Sequence, residues 1–195
     1  SVTGIIHPDK IVTNAGAKPG DVLVLTKPLG TGLIISAIKA NKVFEEDISI
    51  VTRSMTSLNK TASETMLETG VTACTDITGF GLLGHACEMA EASRVTLSFS
   101  AGRIPIFDGC ERYVKMGLIP GVSKLSKKYL KDAIRIDSRV REELVDVLFD
   151  AQTSGGLLIS LSEEKAEVIC AKLKERGVMA ARIVGKVCER REVSL

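Results

Sequence analysis

The residues best suited to chemistry lie in one run, Thr75-Asp76-Ile77-Thr78-Gly79-Phe80-Gly81-Leu82-Leu83-Gly84-His85. An acidic side chain closes a predicted strand, directly before a turn with two glycines and then a helix. Glycines there let backbone approach a ligand closely, and the first N–H groups of a helix suit an anion. Asp76 at that place is suited to Mg²⁺, which is typically bound by one or two carboxylates together with substrate phosphates. A plainer reading stands beside it: Asp76 tightens the turn or caps the helix, as acidic residues often do before glycine.

Other candidates are weaker. Ala151-Gln152-Thr153-Ser154-Gly155-Gly156-Leu157 is a second Gly-rich junction, either a backbone anion nest or a flexible entry to a buried strand. Lys27, beside Pro28 and Gly30, is within reach of a phosphate in principle and reads more simply as an exposed loop lysine. Lys124, Lys127, Lys128 and Lys131 read as a solvated helix face. Asn59 falls inside a predicted helix, where its propensity is poor; it is a surface residue or a hydrogen-bond partner of the Asp76 turn. Cys74, two residues before Asp76, reads as a buried strand cysteine, since no basic neighbour in sequence lowers its pKa.

The elements that must position these residues follow from periodicity. Four consecutive aliphatics over Asp21 to Thr26 predict a strand buried on both faces, followed by a Gly/Pro turn and a helix to about Asn41. Ile48, Val51, Met55, Leu58, Ala62 and Met66 predict one long helix from about Asp47 to Thr69, stopped by Gly70. A strand over Val71 to Asp76 and a helix over Leu82 to Ala92 frame the turn. Val95 to Phe99 alternates as a half-buried strand. A short helix near Asp108–Met116 and helical turns between Lys124 and Phe149 follow. The last unit is a strand over Leu157 to Leu161, a helix capped by Ser162 and ended by Gly177, and a strand over Val178 to Val187. The mix predicts an α+β domain, a layered sheet covered by helices.

Composition sets the outer limits. The 195 residues are 45% hydrophobic and 26% charged, with a net charge of +2, too small to argue for nucleic acid. No run is long enough to span a bilayer. Five widely spaced cysteines and two histidines argue against a disulfide framework, a structural zinc site and His-based catalysis, and set a reducing, cytoplasmic location as the expectation. The opening Ser-Val-Thr-Gly predicts that another segment precedes residue 1.

The run from Ala73 to His85 resembles the signature of the selenophosphate synthetases, the selenide, water dikinases. The resemblance continues through His7-Pro8-Asp9-Lys10, Pro19-Gly20-Asp21, Leu25-Thr26-Lys27-Pro28-Leu29-Gly30 and Gln152-Thr153-Ser154-Gly155-Gly156-Leu157-Leu158, in family order over nearly the whole chain. Aminoimidazole ribonucleotide synthetases, thiamine-phosphate kinases and hydrogenase-maturation proteins share the layered domain but not Thr-Gly-Phe-Gly-Leu-Leu-Gly-His. The resemblance implies the carboxy-terminal α+β domain of that superfamily over residues 16–195, with residues 1–15 the remnant of an amino-terminal ATP-binding domain. It implies a reaction in which ATP, selenide and water give selenophosphate, AMP and orthophosphate with Mg²⁺ required. Asp76 falls on a metal-binding aspartate of the family. The family's reactive Cys or selenocysteine, its essential lysine, the other metal carboxylates and most ATP contacts lie in the amino-terminal half. No catalytic residue is therefore expected in this chain, nor activity from it alone, and family homodimers, paired mainly through that half, should be weakened or altered here. The alternatives are a non-catalytic interaction module or another member of the superfamily.

Overall fold

Val22-Leu23-Val24-Leu25 has to be buried on both sides of a sheet, and it forms the central strand β1 (Asp21–Leu25). In the computed structural model, which describes residues 3–190, Leu23 and Leu25 enter one hydrophobic core and Val22 and Val24 the other. The other strands are β2 (Ala73–Asp76), β3 (Thr96–Phe99), β4 (Leu157–Ser162) and β5 (Arg182–Cys188). They form one sheet in the order β2-β4-β1-β5-β3, with every pairing antiparallel. A register shift between Leu23 and Val24 marks a bulge against β5.

Helices cover both faces. On the Leu23 side lie α1 (Thr31–Lys39), α2 (Glu45–Thr56), α4 (Gly81–Ser93), α5 (Cys110–Lys115) and α7 (Glu142–Leu148), through Leu33, Val51, Met89, Tyr113 and Val147. On the Val22 side α3 (Lys60–Thr69) and α8 (Glu163–Glu175) contribute Ala62, Met66, Ile169 and Leu173. The α+β layered expectation holds.

The single helix expected over residues 47–69 is two. It breaks at Ser57-Leu58-Asn59, because its apolar stripe serves both cores: Val51 is buried in one, Ala62 and Met66 in the other. Leu58, at the crossing, is 79% exposed. The last strand begins at Arg182 rather than Val178. Between residues 100 and 150 the helical turns resolve into α6 (Gly121–Leu130) and α7. α6 buries Ser123 and Ser126 and exposes Val122, Leu125 and Tyr129. Its basic stretch is only partly solvated, since Lys127 pairs with Asp146 at 2.6 Å.

Residues 3–15 run outside the layers. Thr13 accepts the Cys74 N–H at 2.9 Å, which lays this arm along the free edge of β2. Ile5 and Ile6 along it are exposed. Asp21 ties the start of β1 to its neighbours: its Oδ2 accepts from Lys18 N (2.9 Å), Thr72 Oγ1 (2.6 Å) and Ser160 Oγ (2.9 Å). Removing that carboxylate takes the acceptor from the buried Ser160 hydroxyl and the Lys18 N–H, while Thr72 Oγ1 keeps Ser160 O at 2.8 Å. Asp21→Ala is expected to cost about 3 kcal/mol, lowering the midpoint of one cooperative calorimetric transition by roughly 6–12 °C. A midpoint within about 2 °C of the parent contradicts this account.

Candidate functional site: a cleft beside Asp76

The segment leaving α7 decides the local geometry. Asp150 and Gln152 reach the start of α1, where helix N–H groups have no intrahelical acceptors. Gln152 Oε1 accepts from Gly30 N (3.1 Å), Thr31 N (3.2 Å) and Thr31 Oγ1 (3.0 Å). Asp150 Oδ2 accepts from Gly32 N (2.9 Å) and Leu33 N (3.3 Å), and from Gln152 Nε2 (2.9 Å). One segment therefore caps a helix that carries no side-chain cap of its own.

Beyond Gln152 the chain is threaded between the ends of β1 and β2. Gln152 N donates to Thr78 O (2.9 Å), Ile77 N to Gly156 O (2.9 Å) and Thr26 N to Leu157 O (3.1 Å). The two glycines make this possible. A Cβ on Gly155 would stand 2.2 Å from Ile77 O, and one on Gly156 2.5 Å from Lys27 N. The junction is thus not a flexible entry; it is bonded on both sides.

These contacts leave a cleft of about 330 Å³, lined by Lys27, the Ser57–Asn59 elbow, Asp76, Thr78 and the Ser154–Gly155 loop. Asp76 is exposed there at the end of β2. Thr78 is held by His85, whose Nε2 lies 3.1 Å from Thr78 Oγ1 while Nδ1 lies 3.1 Å from Glu88 Oε2. Asn59 Nδ2 donates to Gly155 O at 2.9 Å, so this residue bridges to the junction beside the Asp76 turn. The start of α4 does not line the cleft; Gly81 is pressed against the backbone of Phe149 and Asp150. A second cleft of the same volume, lined by Arg103, Lys174 and Arg182, holds none of the predicted site residues.

Lys27 departs from expectation. It is 9% exposed, not a loop lysine in water, and its Nζ donates to three carbonyls, those of Ser54 (3.0 Å), Ser57 (2.7 Å) and Ser154 (2.9 Å). Burial lowers its pKa. Burial, then the charge of Asp76, pushes the Cys74 thiol up to about 12, which fits a packed strand cysteine and not a nucleophile.

Among the described residues no group of three or more His, Cys, Asp and Glu converges on a metal position. Asp76 by itself offers one hard oxygen ligand on an open cleft. That fits an ion whose remaining ligands are phosphates, waters and carboxylates from elsewhere.

The comparisons with known proteins decide the family. A family model described as AIR synthase related protein, C-terminal domain, matches residues 18–195. The chain belongs to this family. It is 52% identical over all 195 residues to a selenide, water dikinase of Caldanaerobacter subterraneus subsp. tengcongensis, and 45% identical over 195 residues to selenide, water dikinase 2 of Peptoclostridium acidaminophilum. It spans 56% of the length of each. Among solved structures, hydrogenase maturation protein HypE in complex with ATP superposes with a TM-score of 0.66 at 23% identity, over 94% of this chain and 47% of that one. Thiamine-monophosphate kinase from Stenotrophomonas maltophilia K279a gives 0.66 at 11% identity, over 94% and 52%. These superpositions show a shared fold and no more.

Asp150 was not singled out from sequence, because an acidic residue after an amphipathic helix reads as solvated. Here it is 1% exposed, and its Oδ1 has no hydrogen-bond partner. Burial pushes its pKa up to about 7, outweighing the pull of the Leu33 N–H, the Gln152 amide and the Gly32 N–H. Between pH 4 and 7 the unfolded carboxyl ionises while the folded one keeps its proton, so stability falls as pH rises through that window. Asp150→Asn removes this contribution. Denaturant titrations at pH 4 and pH 7.5 should show the variant gaining on the parent by a few kcal/mol, on the order of 1.4 per pKa unit. A constant difference across that range would show that the folded carboxyl titrates as the unfolded one does.

Proposed function

We propose that this chain is the carboxy-terminal portion of a selenide, water dikinase, and that the Asp76 cleft is one wall of its ATP-phosphate site. The observation that carries the reading is 52% identity across the whole chain to a protein of that name, combined with an exposed Asp76 at the mouth of a formed cleft. The ATP complex of a structural neighbour supports a nucleotide as ligand. The whole enzyme, cytoplasmic and homodimeric, would convert ATP, selenide and water to selenophosphate, AMP and orthophosphate.

In this reading Asp76 is a Mg²⁺ ligand, and the ion supplies a positive charge that offsets charge on the transferring phosphoryl groups. The chain's own residues set the geometry. Thr78, steadied by His85, and the Ser154–Gly155 loop shape the rim, while the Lys27 ammonium lies spent on carbonyls. Phosphoryl transfer depends almost entirely on such positioning and on charge, so a wall with one carboxylate does not complete a site. The nucleophile and remaining ligands belong to the preceding half.

Asp76→Asn, made in the sequence extended by its amino-terminal half, tests the assignment. Asn and Asp are comparable caps, so a turn role predicts a change of a few tenths of a kcal/mol and intact turnover. A metal role predicts a loss on the order of 10²-fold or more in AMP formation from ATP and selenide at low Mg²⁺. The metal-free melting temperature should not fall. Near-normal turnover would reduce Asp76 to a turn residue. The 195-residue chain alone is expected to form no AMP above a no-protein control, and robust turnover by it would overturn the division of labour.

A further inference from the structure

Lys27 lies two residues past the end of β1, and no acidic side chain pairs with it among the described residues. An ammonium has three N–H donors and no acceptor. All three are taken, and the three carbonyls come from the two opposite walls of the cleft. Ser54 and Ser57 belong to the last turn of α2 and its cap, where carbonyls have no intrahelical donor and the helix dipole is negative. Ser154 belongs to the Gly-rich loop on the other side. Its φ of +49° is a conformation that non-glycine residues adopt rarely, and it accompanies the bond that its carbonyl accepts from the ammonium. Asn59 adds a fourth bond across the same gap, to Gly155 O.

We propose that Lys27 is the positioning residue of the Asp76 cleft, a staple whose ammonium fixes the Ser57–Asn59 elbow against the Ser154–Gly155 loop and so sets the width available to a phosphate ligand. It does not bind the phosphate, because every donor it has is engaged. The staple stands on the hydrogen bonds alone; its effect on turnover rests on the function proposed above.

The geometry requires an ammonium in particular. Three carbonyls converge on one nitrogen, which a compact tetrahedral donor serves and a planar guanidinium fork does not. Lys27→Met and Lys27→Arg should therefore behave alike. In this chain, amide hydrogen exchange at the hydrogen-bonded amides of residues 54–57 and 152–153 is expected to quicken about tenfold or more in both variants, with exchange in β1 and β4 unchanged. In the sequence extended by its amino-terminal half, kcat/KM for Mg·ATP should fall about tenfold or more through a displaced cleft wall. Rescue by arginine, or exchange at 54–57 and 152–153 equal to the parent, overturns the proposal. A purely stabilising lysine would lower the melting temperature and leave kcat/KM per folded molecule untouched, which also overturns it. Should Lys27→Met fail to fold, Asn59→Ala removes one crossing bond and must show a smaller quickening at the same residues; none there would sink the staple. Failure of the functional reading looks different: Asp76→Asn would keep full activity while the Lys27 variants still loosened both walls.

Discussion

The hydrogen bonds that hold residues 150–157 in two directions are the constraint around which the rest is arranged. Toward α1 the segment supplies the acceptors that the helix start lacks, through Gln152 and Asp150. Toward the sheet it bonds to the ends of both β1 and β2. The close approach tolerates no side chain at Gly155 or Gly156, since backbone atoms lie 2.2 and 2.5 Å from where a Cβ would stand. Because the segment is fixed on both sides, the ends of two strands, the start of α1 and the α2–α3 elbow are brought to one place. The cleft is what remains between them.

Charge is buried in three ways along the chain from Asp21 to Asp150, and each leaves a different balance. Asp21 is a carboxylate surrounded by donors from three separate backbone regions. Lys27 is a cation surrounded by carbonyls, its burial offset by dipoles instead of by an opposite charge. Asp150 has only one oxygen satisfied, so desolvation wins and its carboxyl stays largely protonated well above the usual range. The contrast is instructive because Asp150 also faces the positive end of a helix. A helix start with good donors does not compensate a carboxyl whose other oxygen faces no partner.

Much of the layered fold was legible in the sequence. Val22 to Leu25 could only be a strand buried on both faces, and the helix after Ser162 starts where expected, though the Ser162 side chain makes no capping bond. The α2–α3 break was not legible, because apolar residues at spacings of three and four look alike whether they enter one core or two. The poor helix formers Ser57 and Asn59 were the only local hint. Asp76 and the Gly155–Gly156 pair were marked by residue type and order, and the structure brings Asp76 and Gly155 to one cleft. The roles of Lys27, Asp150 and Gln152 were hidden for one reason. Apart from the bonds between Gln152 and Asp150, their side-chain partners lie 27 to 127 residues away in sequence, so no local pattern could show that a lysine staples two loops or that a distant amide caps a helix.

A wall built in this way has a consequence for any ligand it receives. The crossing bonds from Lys27 and Asn59, and the clasp of His85 on Thr78, are present in the protein alone. Ordering those loops is therefore a cost met in folding rather than at binding, and preorganisation of that kind leaves more of the interaction energy available to the bound state. What the wall lacks is charge. With Lys27 consumed internally and Asp76 the single carboxylate at the mouth, the cleft offers shape and one hard ligand. A phosphate-bearing ligand with its cation gains most from such a surface when further ligands arrive from outside it, and in a family whose members run to nearly twice this length those ligands have a place to come from.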